Sequence, residues 1–147
     1  MTNKETRTIT VSSEALESIR CAAMAAEPLE ACGLLLGPQE GAMAHDAQPL
    51  VITKAVEARN AHPTPMTHFE IEPKALIEAY RNEREGGPQL VGYFHSHPTG
   101  HPVPSLTDQE QSACDGRVWA IAAGQEVRFW IDQPDGFELL KVIIADM

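Results

Sequence analysis

The amino-acid sequence predicts an α/β domain of the α+β type, with a mixed, largely antiparallel sheet flanked by helices. Strand-like and helix-like segments alternate through most of the 147 residues, and the last thirty or so read as three strands joined by short turns. That length predicts one domain over residues 1–147, large enough to bury roughly 68–70% of the surface its unfolded chain would expose.

The first segment, Arg7 to Val11, places Ile9 and Val11 on one face of a short strand. Ser12 or Ser13 followed by Glu14 and Glu17 then starts a helix, with acids favourably placed in its first turn. Its apolar stripe is Leu16, Ile19, Ala23 and Ala26, and Pro28 prevents its continuation. Ala31 to Gly37 is a short apolar run closed by Gly37-Pro38, as expected for a buried central strand. Pro49 to Glu57 is rich in β-branched residues, and Thr67 to Ile71 alternates Phe69 and Ile71, so both read as strands, with Asn60 to Pro65 as a loop between them. Pro73 opens a second helix with Leu76, Ile77 and Tyr80 on one face and Gly86-Gly87 at its end. Gln89 to His97 is a strand leading into a proline-studded loop, after which Ser105 caps a third, short helix. Val118 to Ala123, Val127 to Ile131 and Phe137 to Ile144 complete the sheet.

Charge and cysteine content narrow the function. Eleven Lys+Arg against 21 Asp+Glu leave a formal charge of -10, which disfavours nucleic acid and anionic membrane surfaces as partners. Cys21, Cys32 and Cys114 are widely spaced with no CxxC pair, arguing against a disulfide framework or a cysteine-zinc site. The longest apolar run, Val118 to Ala123, is far below the ~20 residues of a membrane span, and the N-terminal MTNKETRTIT lacks a signal-like apolar region. These features predict a cytoplasmic, soluble protein.

The chemistry-bearing segment is GYFHSHPTGHPVPSLTD. His95 and His97 lie two apart at a strand end, where alternation sends both imidazoles to one face, about 6.6 Å apart at the backbone. Asp108 follows at a helix start, beyond a loop stiffened by Pro98, Pro102 and Pro104. Two histidines and a carboxylate are a catalytic zinc set that leaves the fourth position open. Hydrolysis also needs a group to carry a proton from water to the leaving amine, and Glu30, at the mouth of an apolar strand, is a candidate. Ser105 could donate to the oxyanion of the attacked carbonyl. Spacing alone leaves these last two roles open.

Glu30, His95-Ser96-His97-Pro98, Ser105 and Asp108 together resemble the metal-site signature of the JAMM (MPN+) metalloprotease family. EACGLLLG around Glu30, NAHPTPMTHFEIEP and GYFHSHPTG are similar to its small stand-alone bacterial members, and the likeness runs from about Ser12 to Val142. The resemblance implies His95, His97 and Asp108 as ligands of one Zn²⁺ per chain, Glu30 as general acid/base and Ser105 as the oxyanion-stabilising hydroxyl. It implies the JAMM/MPN (cytidine-deaminase-like) architecture, and hydrolysis of the amide after the C-terminal glycine of a ubiquitin-like or sulfur-carrier protein ending in Gly-Gly. Ubiquitin-cleaving members carry longer insertions around the site. Phe69 to His95 leaves no room for them, which favours a smaller carrier as substrate, its tail pairing near Gly37 to Pro49 or with the loop after His97.

Simpler readings stand beside these. The two histidines could be satisfied by hydrogen bonds alone, Glu30 could be a solvated carboxylate, and Ser105 is also a natural helix cap. His101 reads as an exposed loop residue. His45, His62 and His68 have no partner at ligand spacing, with His68 expected on the outer face of a strand. Cys32 reads as a small buried hydrophobe, and Trp119, Phe129, Trp130 and Phe137 as core or edge packing. At the level of the whole chain, the rivals are a non-catalytic interaction scaffold and a peptidase of the same family with an unrelated peptide substrate.

Overall fold

The computed structural model describes residues 6–39 and 50–146. Its elements are β1 (Thr8–Ser12), α1 (Ser13–Ala26), β2 (Cys32–Gly37), β3 (Leu50–Ile52), β4 (Lys54–Ala58), α2 (Pro73–Arg84), β5 (Gln89–Ser96), α3 (Leu106–Gln111), β6 (Val118–Ala123), β7 (Glu126–Gln133), β8 (Gly136–Leu139) and β9 (Lys141–Ala145). They form a six-stranded sheet in the order β4-β2-β5-β6-β7-β8 and a three-stranded sheet in the order β3-β1-β9. The larger sheet is antiparallel except where β5 and β6 run parallel, joined by the crossover that carries α3. The smaller sheet is parallel throughout. The α+β prediction therefore holds. The strands do not follow one another as a simple meander, because both parallel contacts of β1 are to strands remote in sequence.

Helix α1 starts where expected, with Ser12 Oγ accepting from the Ala15 N–H at 3.0 Å. Its buried face, Ala15, Leu16, Ile19 and Ala22, joins Ile9, Val11, Leu35, Phe94, Ala120 and Phe129 in the principal core, between the two sheets. Alternation along β2 and β5 sends the other set of side chains to the opposite face, where Cys32, Leu34 and Leu90 pack with Ile71 and Ala79 beneath α2. His95 and His97 share this second face with Tyr93. Gly92 lets β5 approach β6 closely, since any Cβ there would overlap the Val118 carbonyl.

Three expected strands change. The Pro49 to Glu57 run is two strands, β3 and β4, in different sheets; Pro49 itself lies outside the described residues. The corner is Thr53, whose N–H donates to the Leu36 carbonyl and whose own carbonyl accepts from Ser12 Oγ. The Phe137 to Ile144 run likewise divides between the sheets at buried Leu140, whose N–H donates to the Phe129 carbonyl. Thr67 to Ile71 is no strand: only an isolated bridge joins Asn60 and Ile71, and the Asn60 side chain takes up neighbouring backbone groups instead.

Candidate metal centre and active site

His95 and His97 stand at the C-terminal end of β5, and β2 and β6 on either side fix that strand's position. Asp108 enters from the first turn of α3, held by a reciprocal cap: the Ser105 N–H donates to Asp108 Oδ2 at 2.9 Å, and the Asp108 N–H donates to Ser105 Oγ at 3.0 Å. Three donor atoms converge as a result. His95 Nε2 and His97 Nε2 are 3.1 Å apart, and Asp108 Oδ2 is 3.2 Å from the first and 3.1 Å from the second. A tetrahedral ion with Zn–N bonds of 2.0–2.1 Å spaces its donors about 3.3 Å apart, so this triangle fits one zinc-sized cation. Among the described residues it is the group of His, Cys, Asp and Glu side chains that could hold a metal.

The surroundings prepare the two imidazoles as ligands. His97 Nδ1 lies 2.8 Å from the His101 carbonyl, which accepts its proton and leaves the Nε2 lone pair facing the triangle. The exposed His101 ring takes no part, as expected; its backbone does. His95 is wholly buried, and its Nδ1 has no hydrogen-bond partner among the described residues. Its ring is held by packing instead, with Phe69 stacked on it at 4.2 Å and 15° and Trp119 edge-on at 5.7 Å. Sequence reading assigned Trp119 to general packing and Phe69 to a strand, so this clamp went unrecognised. Only the three-dimensional pairing of β5 with β6, in which His95 lies opposite Ile121 and Trp119 opposite Tyr93, brings it together.

Electrostatics follow from burial and these contacts. Burial pushes the Asp108 carboxyl up, but hydrogen bonds with His95 and His97 and from the Ser105 backbone outweigh it and hold the group well below the usual carboxylate range. Burial lowers His95. For His97, burial also pulls downward, but Asp108 and the His101 carbonyl prevail and raise it above its ordinary value.

Glu30 precedes β2 and is 7% exposed. Its backbone is tied on both sides, the N–H donating to the Pro65 carbonyl at 2.8 Å and the carbonyl accepting from Asn60 Nδ2 at 3.0 Å. Burial raises its carboxyl to about 7; the pull of His97 partly offsets this and Asp108 adds to it. Glu30 and Asp108 line one small, open groove. Nearby Cys32 is fully buried, and burial, with Glu57 and Glu30 behind it, pushes its thiol to about 12, as suits an inert core residue. The structure thus brings Glu30, His95, His97, Ser105 and Asp108 into one region. His45 lies outside the described residues. His68 is on no strand face and stacks on His62, a pairing the linear spacing did not reveal.

A family model for prokaryotic homologs of the JAB domain matches residues 12–132. The chain belongs to this family. Curated relatives of this JAB-domain chain include a desampylase of Haloferax volcanii, 31% identical over 65% of this chain and 63% of the relative, so the match spans just under two thirds of that protein. A probable TtuB-protein conjugate cleaving protease of Thermus thermophilus is 29% identical over 76% of this chain and 75% of its own length. Among solved structures, a JAB1/MPN domain protein from Archaeoglobus fulgidus superimposes with a TM-score of 0.58 at 18% identity, covering 93% of this chain and 99% of that one. The JAB/MPN architecture is therefore that of this chain. No described helix is long and apolar enough to cross a membrane.

Proposed function

We propose that this chain is a zinc-dependent peptidase or isopeptidase that hydrolyses the amide after the C-terminal glycine of a small ubiquitin-like or sulfur-carrier protein ending in Gly-Gly. The observation that carries this reading is the triangle of His95 Nε2, His97 Nε2 and Asp108 Oδ2 with edges of 3.1–3.2 Å, beside a carboxylate poised near neutrality. The names of the Haloferax and Thermus relatives, desampylase and conjugate cleaving protease, support the substrate class.

His95, His97 and Asp108 would hold the zinc, which when bound supplies Lewis-acid activation of water and of the attacked carbonyl. Glu30 accepts the proton that water gives up on attack, holds it on its carboxylate, and delivers it to the departing amine. A carboxyl near 7 is matched to both halves of that transfer at neutral pH. Ser105 Oγ accepts from the Asp108 N–H, and its own proton remains free to donate to the oxyanion. Its cap and its catalytic donation are compatible. The complete donor set counts against a non-catalytic scaffold. We further read residues 1–147 as one catalytic domain acting in the cytoplasm.

The test is cleavage of a carrier protein extended by a peptide beyond its Gly-Gly end. Zinc-loaded wild type should release the peptide, and Glu30→Gln should be at least ~10²-fold slower with zinc still bound. Full activity in that variant would remove Glu30 from the mechanism.

A further inference from the structure

The groove beside Glu30 has a second wall that the reaction above leaves unused. It is formed by the 60–71 segment, which contributes His62, Thr67 and His68. The two imidazoles stack with centroids 4.6 Å apart and planes 10° from parallel. The Thr64 N–H donates to His62 Nδ1 at 2.9 Å, so the neutral ring must carry its proton on Nε2. The Thr67 hydroxyl lies 2.7 Å from His68 Nδ1, and when it donates there His68 carries its proton on Nε2 as well. Neither Nε2 has a hydrogen-bond partner among the described residues. The wall therefore offers imidazole N–H groups that no protein acceptor among the described residues takes up.

These donors are held in fixed relation to Glu30. The Asn60 side chain makes four hydrogen bonds, its full capacity: Nδ2 donates to the carbonyls of Glu30 and His68, both at 3.0 Å, and Oδ1 accepts from the N–H groups of His62 at 3.1 Å and Glu70 at 3.0 Å. The Pro65 carbonyl adds its bond from the Glu30 N–H. One side chain thus ties the base to both histidines, a degree of fixation that an idle surface loop does not need.

Neutral N–H donors call for an oxygen acceptor. Because Glu30 hands its proton to the departing amine, the wall it shares with the histidines faces the residue bearing that amine. We propose that the His62–His68 pair is a substrate subsite that binds a carbonyl or carboxylate oxygen of the residue on the leaving side of the scissile amide. The inference rests on the peptidase reading above. A residue joined through its α-amine carries such an oxygen two bonds beyond the nitrogen's neighbour. A lysine joined through its side chain has none within reach, so the pair selects α-linked over Nε-linked leaving groups.

The test uses the zinc-loaded protein and one Gly-Gly carrier joined to alanine with a free carboxylate, to alanine amide, or to the side-chain amine of lysine. The double variant His62→Phe with His68→Phe keeps the stacked rings and removes both donors. It should raise KM about tenfold on the alanine substrates, with kcat changed less than about threefold and the lysine substrate affected less than about twofold. Loss confined to the free alanine identifies a carboxylate, and equal loss on its amide identifies a carbonyl. His62→Gln, which offers an amide N–H near the position of Nε2, should recover part of the affinity. Unchanged KM on both alanine substrates, or an equal loss on the lysine substrate, overturns the subsite. Should the wild type cleave none of the three, the peptidase reading fails, and the subsite is judged by the ring-nitrogen NMR signals of His62 and His68 on adding the alanine conjugate. Shifted signals support it, and unmoved signals overturn it.

Discussion

Ser105 and Asp108 hold one another at the start of α3, each backbone N–H donating to the other's side chain at 2.9 and 3.0 Å. The bond to Ser105 Oγ caps the helix and the bond from the Ser105 backbone N–H aims the Asp108 carboxylate at His95 and His97, so losing the cap loosens the turn that presents the ligand. Ser105→Ala should lower stability by about 1 kcal/mol and weaken zinc binding roughly tenfold. Thermal melting and competition with a chromophoric chelator measure the two effects. A variant that lost stability but bound zinc as tightly as wild type would separate cap from ligand.

Glu30 makes stability depend on pH in a direction opposite to that of a salt-bridged carboxylate. Its carboxyl rises from 4.5 to about 7 on folding, so the native state binds the proton more tightly than the unfolded chain. The contribution of protonated Glu30 is complete below the unfolded value and is lost as pH rises through about 7. In metal-free protein, Glu30→Gln should therefore gain on wild type by about 2 kcal/mol between acid and about pH 8. Urea denaturation at both ends of that range tests the sign. A stability difference independent of pH would mean that burial does not perturb this carboxyl.

Gly92→Ala tests the strand that carries both histidines. A methyl group there would overlap the Val118 backbone, and neither strand can move away without breaking the β5–β6 ladder. The cost should exceed about 3 kcal/mol, read as a lower urea midpoint or as failure to fold. A midpoint equal to wild type would mean that β5 and β6 are not paired in this register.

His101→Ala should be nearly silent. Only the His101 carbonyl touches His97, so zinc stoichiometry and turnover should stay within about twofold of wild type. A large loss of zinc would make the His101 ring a ligand.

The metal triangle was legible because its geometry is mostly local. Strand alternation brings His95 and His97 to one face, and a serine cap three residues before Asp108 marks the helix start that presents it. The clamp on His95 was less legible, since Phe69 and Trp119 meet it only through the packing of the loop and sheet around it. Thr67 to Ile71 misled because Phe69 and Ile71 alternate as strand residues do, yet Asn60 takes the hydrogen bonds a neighbouring strand would supply. The breaks at Thr53 and Leu140 were hidden for a related reason: one β-prone run can serve two sheets, and its sequence carries no mark of the change. The substrate edge expected near Gly37 to Pro49 falls largely on residues 40–49, outside those described.

The most direct test of the metal centre is elemental analysis of the purified protein after equilibration with zinc and removal of the excess. About one zinc per chain should remain, and it should be lost in His95→Ala and Asp108→Ala but retained in Glu30→Gln. A folded wild type that retains no zinc, or a His95→Ala variant that retains all of it, would contradict the account.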